Sequence, residues 1–470
     1  MLRTLRDYLR IKRSGWFDAG YYLLKYPDVR RADVDPIWHY LKIGWREGRY
    51  PSGKFEQVLA ENAGSLAPDC NPLVGFLQNE RTQLRKPGIG LKEISRFLYK
   101  GFIFFINLKG IVFFGGYPYP ERERDGYYQR IRSVDTIFAD RWRVYVDRVC
   151  LAGRDAWYDF PAPKTLVIRV DESRKRKWLV GFCAGLCVLR TGVIYFHSVL
   201  ALGGVQYLMR LPGIRKVIDI HGVVPEEFRY QGDPGNGELF DRVERAAVEH
   251  ADHVIVVSDA MRRHLEEKYP GGVRGKFIVL PILQKVPADR FKKPSITGKP
   301  VIIYSGGLQK WQQVPKMIDA IQQTAQDYEY RFYCPAPQEV LAMLPENLRS
   351  SPSIVVGSKP PEEIFPAYRE CHYGFILRED IIVNRVACPT KLMEYLAADI
   401  IPIVDSEEIG DFKEMGMQYI HLADLLNHSL PDEASRQIMA DRNFGVYEKL
   451  LEKYGAGVAA LQQSIKRGII

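Results

Sequence analysis

The chain has 470 residues, of which 46% are hydrophobic and 26% are charged, so the composition excludes a disordered or fibrous protein and allows two or three globular domains. Its net charge of +9 favours an anionic partner, such as a phosphate-bearing substrate or an anionic lipid surface. The basic residues are spread along the chain without a recognised nucleic-acid motif, so nucleic acid is not an expected partner.

Cysteine and histidine spacing bears on the compartment and on metal binding. The seven cysteines are dispersed without a CxxC pair, which predicts a reducing environment and a cytoplasmic protein. The nine histidines show no metal-ligand spacing with cysteine or acidic residues, so we expect no metal ion. The basic N-terminus is not followed by the apolar core of a signal peptide, and no apolar run reaches the length of a membrane span.

The N-terminal part of the chain predicts helices. Residues 1–55 are rich in aromatic side chains and predict a small helical module, in which Pro36 begins a short helix and Gly44 ends it. Residues 56–107 predict a helical linker. Ordinary core packing is the expected role of a helix near 92–107; because several basic residues precede it, a position on the surface of an anionic membrane is the alternative.

From residue 108 onward, short apolar runs alternate with amphipathic segments. In residues 108–285 the predicted strands are KGIVFFGG, KTLVIRV, GVIYFH, KVIDIH, HVIVVS and KFIVLP. The segments GELFDRVERAAVEHA and SDAMRRHLEEKY between them predict helices, and Ser258 is a suitable N-cap for the second. This alternation predicts a parallel sheet covered by helices, which is a Rossmann-like domain.

A polar, proline-containing segment then predicts an interdomain linker, and the alternation resumes. In residues 299–448 the predicted strands are PVIIYSG, YRFYC, SIVVGS, YGFIL and IIPIV. Residues 449–470 predict a C-terminal helix that packs back toward the first domain. The fold class is therefore α/β, with two Rossmann-like domains facing across a cleft and ligands beyond the carboxyl ends of the strands.

The stretch CPTKLMEYLAADIIPIV, residues 388–404, contains a conflict of local preferences. It predicts a helix that begins at Pro389, followed by a buried strand, but Cys388 is a poor N-cap and Lys391 lies in the positively polarised first turn. A bound diphosphate would resolve the conflict, because it accepts hydrogen bonds from free N–H groups and pairs with lysine. Glu394 lies one turn further on the same face. The alternative is that Lys391 and Glu394 form only a surface pair.

Five segments resemble retaining GT-B glycosyltransferases of the family-four-like group, and they follow one another along the chain in the order expected for that group. CPTKLMEYLAADIIPI resembles their helix-and-strand signature. VIIYSGGLQKWQQVPKMIDAI resembles the strand, glycine loop and helix that open their donor domain. ADHVIVVSDAMRRHL and DIHGVVPEEF resemble segments of their first domain. The N-terminal 55 residues resemble a module found beside glycosyltransferases of bacterial surface-polysaccharide synthesis.

The resemblance implies roles for several residues of the second domain. Gly306 and Gly307 would let the backbone approach the phosphates of a nucleotide sugar, Thr390 and Lys391 would hold the diphosphate, and Glu394 would hold the ribose. Such enzymes use no metal and no cofactor beyond the nucleotide diphosphate sugar as co-substrate. Cationic side chains and the helix end would therefore stabilise the departing diphosphate.

This sequence departs from the family pattern at three places. The family often has a second glutamate eight positions before Glu394, where this chain has Val386. The residues that we expect to replace it near the sugar follow the strand YGFIL: Glu379 and Asp380 as catalytic candidates, and Asn384 and Arg385 as donor-binding candidates.

The second departure is in the glycine loop, where Gln312 stands in place of a lysine, with Lys310 nearby; both are donor-binding candidates. The third is Asp399, which stands where the family helix ends in glycine. Aspartate tolerates the left-handed conformation, so we expect little effect.

Candidate acceptor-side residues lie at strand ends of the first domain. His221 follows KVIDIH and is the catalytic candidate there, with His197 as a parallel acceptor-binding candidate; the alternative for each is a structural role. Glu227 is a candidate for orienting an acceptor hydroxyl. Arg124 and Asp125 are expected to line the cleft, or else to belong to a solvated turn.

The sequence thus predicts a cytoplasmic glycosyltransferase that moves a hexosyl or deoxyhexosyl group from a nucleotide sugar to a glycan or lipid-linked glycan, with retention. Partners would be the nucleotide sugar, the acceptor and the membrane surface. Two alternatives stay open. One is an inverting transferase or sugar-nucleotide epimerase, for which His197, His221 or Glu227 would supply a base. The other is a non-catalytic scaffold with the same fold.

Overall fold

The computed structural model describes residues 7, 8, 11, 12, 14–26, 28, 29, 34–52, 55, 71–74, 77, 104, 108–120, 126–148, 158–170, 177–283, 290, 293 and 295–466. The chain forms two compact units, of which the first is built mainly from residues 1–104 and the second contains most of residues 105–470. The candidate membrane helix near 92–107 lies outside the described residues, with the exception of Phe104.

The first unit has a core of aromatic and aliphatic side chains. Helix α1 spans Ala19–Lys25, helix α2 spans Pro36–His39, and a π-helical turn continues α2 over Tyr40–Gly44. Asp35 caps α2 by accepting from the N–H groups of its first turn. Pro36 thus begins the predicted helix and Gly44 ends it, with a change to π-helical geometry between them. This arrangement buries the small core that the aromatic composition predicts.

The second unit contains two sheets. The first sheet has eight strands in the order β3-β4-β2-β1-β5-β6-β7-β8. Its strands are β1 Gly110–Phe114, β2 Trp142–Arg148, β3 Tyr158–Asp159, β4 Thr165–Val170, β5 Val193–His197, β6 Arg215–Ile220, β7 His253–Val256 and β8 Lys276–Val279. The pairs β1–β2, β1–β5, β5–β6, β6–β7 and β7–β8 are parallel, and β3–β4 is antiparallel.

Helices connect these strands. They are α3 Gly126–Ile137, α4 Lys177–Thr191, α5 Val199–Leu202, a 3₁₀ helix Gln206–Arg210, α6 Val224–Tyr230, α7 Pro234–His250 and α8 Asp259–Lys268. All six strands predicted for this region are present. Strands β2 and β3 were not predicted from the sequence.

Ser258 caps helix α8, as predicted, and its side chain also connects the domain that contains the first sheet to the domain that contains the second. Its Oγ accepts from the Met261 N–H at 3.0 Å and donates to the Val386 carbonyl at 2.7 Å. We expect Ser258→Ala to lower the free energy of unfolding by about 1–3 kcal/mol, because it removes a cap and leaves a buried carbonyl unpaired. Urea unfolding checks this, with Ser429→Ala, an exposed loop position, as the control. A loss no larger than that of the control would contradict the prediction.

The second sheet has six strands in the order β11-β10-β9-β12-β13-β14. They are β9 Val301–Ser305, β10 Glu329–Tyr333, β11 Ile354–Gly357, β12 Tyr373–Ile376, β13 Ile401–Val404 and β14 Ile420–His421. All of its neighbouring pairs are parallel. The carboxyl ends of its strands therefore lie along one edge, as the sequence predicts.

The second sheet is covered by helices. They are a 3₁₀ helix Lys310–Gln312, α9 Val314–Thr324, α10 Pro337–Met343, α11 Glu346–Arg349, α12 Pro361–Ala367, a 3₁₀ helix Tyr368–Glu370, α13 Ile382–Arg385, α14 Thr390–Ala397 and α15 Leu422–Leu426. The short α10, α11, α13 and α15 were not predicted, and α13 lies in a segment predicted as a loop.

Helix α16, Glu433–Lys466, is a single helix of 34 residues that contacts both domains. Ala440 packs in the core around the second sheet, whereas Leu461 and Ile465 pack in the core around the first. Gly457 permits a close approach to the first sheet, because a Cβ at this position would lie 2.4 Å from the Val279 carbonyl oxygen.

The predicted fold class is confirmed: the second unit is an α/β structure with two Rossmann-like bodies, each built on a largely parallel sheet. Within the described part of the chain, no helix is both long enough and apolar enough to cross a bilayer. The predicted domain boundaries stay predictions.

Candidate functional site

The glycine loop after β9 meets Lys391 of helix α14. The Lys391 ammonium lies 3.7 Å from the centre of the Tyr304 ring and donates to Gln312 Oε1 at 3.3 Å. Gly306 has φ +153°, and a Cβ there would lie 2.7 Å from Lys391 Nζ, so glycine is required for this approach. Burial, and then the charge of Arg378, lower the pKa of Lys391 well below its ordinary value.

The tip of α14 is uncapped, as the sequence predicts. Thr390 is its first residue, and no side chain of the described residues bonds to its first N–H groups. The helix therefore begins one residue later than predicted, with Pro389 rather than Cys388 at the N-cap. At the other end, Asp399 has φ +53° and accepts from Arg290 Nε at 2.9 Å, which stabilises the left-handed conformation predicted for it.

Arg378 is a second cation at this site, and it was not among the residues predicted from the sequence. It follows β12 directly and donates to Asn384 Oδ1 at 2.8 Å, while Asn384 Nδ2 donates to the Glu379 carbonyl at 2.9 Å. Asn384 is fully buried, so its amide positions Arg378 rather than facing solvent. Burial lowers the pKa of Arg378 to about 10, which leaves it charged at neutral pH. Its position directly after the predicted strand YGFIL was the feature of the sequence that could have identified it as a site residue.

Glu394 faces the same region from the next turn of α14. Its Oε2 accepts from the Tyr368 hydroxyl at 2.6 Å, and that hydroxyl lies 2.6 Å from Ser305 Oγ. Burial raises the pKa of Glu394, against the opposing effects of Tyr368 and Lys391. The glycine loop, Lys391 and Glu394 thus lie at one edge of the sheet, which agrees with the predicted arrangement. Tyr368 was not predicted.

The edge that carries these residues faces the first domain. Besides the bond from Ser258 to the Val386 carbonyl, Asp411 accepts from the N–H groups of Asp259 and Ala260 at 2.8 and 2.7 Å. Helix α8 of the first domain is therefore capped partly by a carboxylate of the second. The tip of α14 follows Val386 in sequence and lies on the same side.

Glu379 contacts both domains. Its Oε2 accepts from the Tyr230 hydroxyl of α6 at 2.8 Å, and its Oε1 accepts from Gln313 Nε2 at 2.9 Å. The Lys310 ammonium lies 4.8 Å from the centre of the Tyr230 ring, and the backbone of Gln313 is left-handed, with φ +55°. Glu379 and Lys310 thus join the glycine loop to the first domain; their predicted sugar and donor contacts stay predictions.

Asp380 and Arg385 form an exposed pair with each other. Arg385 Nε and Nη2 donate to the two carboxylate oxygens at 2.6 and 2.9 Å. Each side chain is therefore already satisfied in this structure. Their predicted contacts with the donor would require this pair to separate, or to bind the donor as a unit.

In the first domain, His221 lies above a buried ion pair. Arg130 donates to both oxygens of Asp219 at 3.0 and 2.9 Å, and the Tyr195 hydroxyl donates to Asp219 Oδ2 at 2.9 Å. His221 Nδ1 lies 3.8 Å from Asp219 Oδ1, and its ring centre lies 5.5 Å from that of Tyr127. Burial alone would raise the pKa of Asp219, but Arg130 and His221 hold it well below its ordinary range.

His197 and Glu227 flank the same strand ends. His197 is fully buried and stacked on Phe113, and neither of its ring nitrogens is hydrogen-bonded to another of the described residues; burial lowers its pKa to about 3. Glu227 packs on Gly222, where a Cβ would lie 2.4 Å from its Oε1, and burial raises its pKa. His197 is therefore neutral. Arg124 and Asp125 lie outside the described residues.

Comparisons with known proteins agree with this architecture. A family model described as a glycosyl transferase 4-like domain matches residues 139–282. No curated protein sequence matches the chain significantly. Sucrose-phosphate synthase from Thermosynechococcus elongatus superposes with a TM-score of 0.56 at 15% identity, over 76% of this chain and 98% of its own.

Two further solved structures contain a UDP ligand. HepE of Anabaena, in complex with UDP and glucose, superposes with a TM-score of 0.53 at 13% identity, over 76% of this chain and 100% of its own. A trehalose-6-phosphate protein from E. coli, bound with UDP-2-fluoro glucose, superposes with a TM-score of 0.51 at 11% identity, over 76% of this chain and 98% of its own. The chain therefore has the GT-B glycosyltransferase fold, with a glycosyl transferase 4-like domain over residues 139–282.

Proposed function

We propose that this chain transfers a hexosyl or deoxyhexosyl group from a nucleotide diphosphate sugar to a hydroxyl of a glycan or lipid-linked glycan, with retention of anomeric configuration. Its place would be cell-surface polysaccharide synthesis at the cytoplasmic face of the membrane. The resemblance of its N-terminal 55 residues to a module found beside such enzymes supports this context, as does the net charge of +9.

The observation that carries the proposal is a pair of neighbouring cations, neither of which forms an ion pair with a carboxylate of the described residues; Glu394 acts on Lys391 only through its more distant charge. Lys391 and Arg378 are both half-buried and interact electrostatically, and each is held by neutral groups, namely Tyr304 with Gln312 and Asn384. Among the residues that the structure describes, no carboxylate lies within ion-pair distance of either. Two like charges partly removed from water are unfavourable until an anion joins them, and a diphosphate supplies that charge.

The proposed donor site extends from these cations in two directions. The free N–H groups at the tip of α14 would donate hydrogen bonds to the same diphosphate, since a helix N-terminus favours anions. Glu394 would accept hydrogen bonds from the ribose. Arg378 would supply the cationic contact that Gln312 no longer provides in the glycine loop.

This site suits a reaction in which the diphosphate leaves. The fixed cations would stabilise the negative charge that develops on the leaving phosphate oxygen. In a retaining transfer that oxygen can take the proton of the acceptor hydroxyl, so no strong protein base is needed. His221 would contact the acceptor or the donor sugar.

The test is binding followed by product analysis. We expect UDP or GDP to raise the melting temperature by mass action, and a screen of the corresponding sugar nucleotides to give transfer with an α-linked product from an α-linked donor. Calorimetry and NMR of the anomeric proton measure the two results. An inverted product would favour the inverting alternative, and absence of nucleotide binding would favour the non-catalytic scaffold.

A further inference from the structure

Tyr368 connects the glycine loop to the carboxylate that would bind ribose. Its side chain is fully buried, and its hydroxyl lies 2.6 Å from both Ser305 Oγ and Glu394 Oε2. These three residues belong to the end of β9, the 3₁₀ helix after α12, and α14. A single hydroxyl therefore joins three elements that meet at the candidate donor site.

The direction of these hydrogen bonds follows from their chemistry. A carboxylate only accepts, so the Tyr368 proton is donated to Glu394. The Tyr368 oxygen can then accept the proton of Ser305, which gives a relay from Ser305 through Tyr368 to Glu394. This hydrogen bond uses only one of the two carboxylate oxygens of Glu394. Tyr368 donates to Oε2, which leaves Oε1 for a ligand.

We propose that Tyr368 is a positioning residue for the donor ribose, which holds Glu394 in the orientation where its other carboxylate oxygen accepts from the ribose hydroxyls. This inference rests on the proposed function. A glutamate has several rotatable bonds, and fixing one carboxylate oxygen before the ligand arrives reduces the entropy lost on binding. Without the Tyr368 hydroxyl, Glu394 would have to be ordered by the nucleotide itself.

The role of the hydroxyl can be separated from that of the ring. The Tyr368 ring packs edge-on against Tyr395 at 5.5 Å and against Phe365 at 5.8 Å between ring centres, and phenylalanine keeps both contacts. Tyr330→Phe is a matched control, since Tyr330 is equally buried in the same domain and its hydroxyl lies 2.5 Å from Thr324 Oγ1, away from the site.

The experiment is calorimetry of the full chain with three probes: UDP or GDP, whichever the wild type binds more tightly, its 2′,3′-dideoxy form, and inorganic pyrophosphate. We expect Tyr368→Phe to weaken binding of the ribonucleotide on the order of tenfold, because a charge-assisted positioning contact is lost. Binding of the dideoxy form and of pyrophosphate should change little. In turnover assays KM for the donor should rise while kcat stays close to wild type.

Each outcome decides one point. If Tyr368→Phe keeps the wild-type ratio between ribonucleotide and dideoxynucleotide affinities, or if Tyr330→Phe changes that ratio equally, the positioning role is wrong. If the wild type binds none of the three probes, the proposed function itself is wrong, and this inference with it. Ser305→Ala provides a second variant, for which we expect a smaller shift in the same ratio; should Tyr368→Phe not fold, an unchanged ratio in Ser305→Ala overturns the role.

Discussion

Replacing Lys391 by alanine should weaken diphosphate binding by roughly 1–3 kcal/mol, because a charge-assisted contact is lost while Arg378 remains. The effect should appear with nucleoside diphosphates and with pyrophosphate alone, since the lysine lies at the glycine loop and the helix tip. Calorimetry measures it. Lys316→Ala is the control, because Lys316 is exposed on α9 and pairs with Asp405.

The pH dependence of binding identifies the charge responsible. The pKa of Lys391 is lowered in the free protein, and a bound diphosphate would stabilise the protonated form and raise it. Affinity should therefore be highest below the lowered pKa of Lys391 in the free protein and fall as pH rises through that pKa. Lys391→Met, which keeps most of the side-chain volume, should lack this fall. Unchanged affinity in Lys391→Ala, or the same alkaline fall in Lys391→Met, would contradict the assignment.

Removing Arg130 should produce the largest loss of stability in the first domain. Arg130 and Asp219 are both fully buried, and Arg130 also donates to the Leu280 carbonyl at 2.9 Å. We expect Arg130→Met to lower the free energy of unfolding by about 3–5 kcal/mol, because it leaves a buried carboxylate without its cation. Urea unfolding followed by circular dichroism checks the result.

A double variant separates the ion pair from its surroundings. The double variant Arg130→Met with Asp219→Leu should lose less free energy of unfolding than the sum of the losses in the two single variants. In the double variant neither partner is left charged and unpaired. Arg262→Ala is the exposed comparison, because its pair with Glu266 lies at the surface and should contribute at most about 1 kcal/mol. A loss in Arg130→Met no larger than in Arg262→Ala would show that the buried pair does not stabilise the domain.

The sequence predicted most strands because burial on both faces of a parallel sheet produces continuous apolar runs. Strand β2 was missed because WRVYVDR contains charged residues. Arg143 is nevertheless buried there, since it pairs with Asp135 at 2.6 Å and donates to Thr165 at 2.9 Å. The partners of this buried charge, Asp135 and Thr165, lie outside the strand, so the local pattern of WRVYVDR cannot reveal them.

The candidate site was predictable where one segment carried the signal. The uncapped tip of α14, Lys391 and Glu394 all lie within a few residues and could be interpreted together. Tyr368 and Arg378 could not, because Tyr368 reaches Ser305 across 63 positions and Arg378 acts beside Lys391 only after β12 and α14 are folded. Glu379 similarly contacts Tyr230 from 149 positions away.

Helix α16 limits the ways in which the two domains can move. A helix of 34 residues is about 51 Å long, and its backbone hydrogen bonds keep that length constant. Because its two halves are embedded in different cores, the domains cannot slide apart along it. Under the proposed function, nucleotide release would therefore proceed by rotation of the domains about the region near Gly455 and Gly457, where the helix has its weakest intrinsic preference.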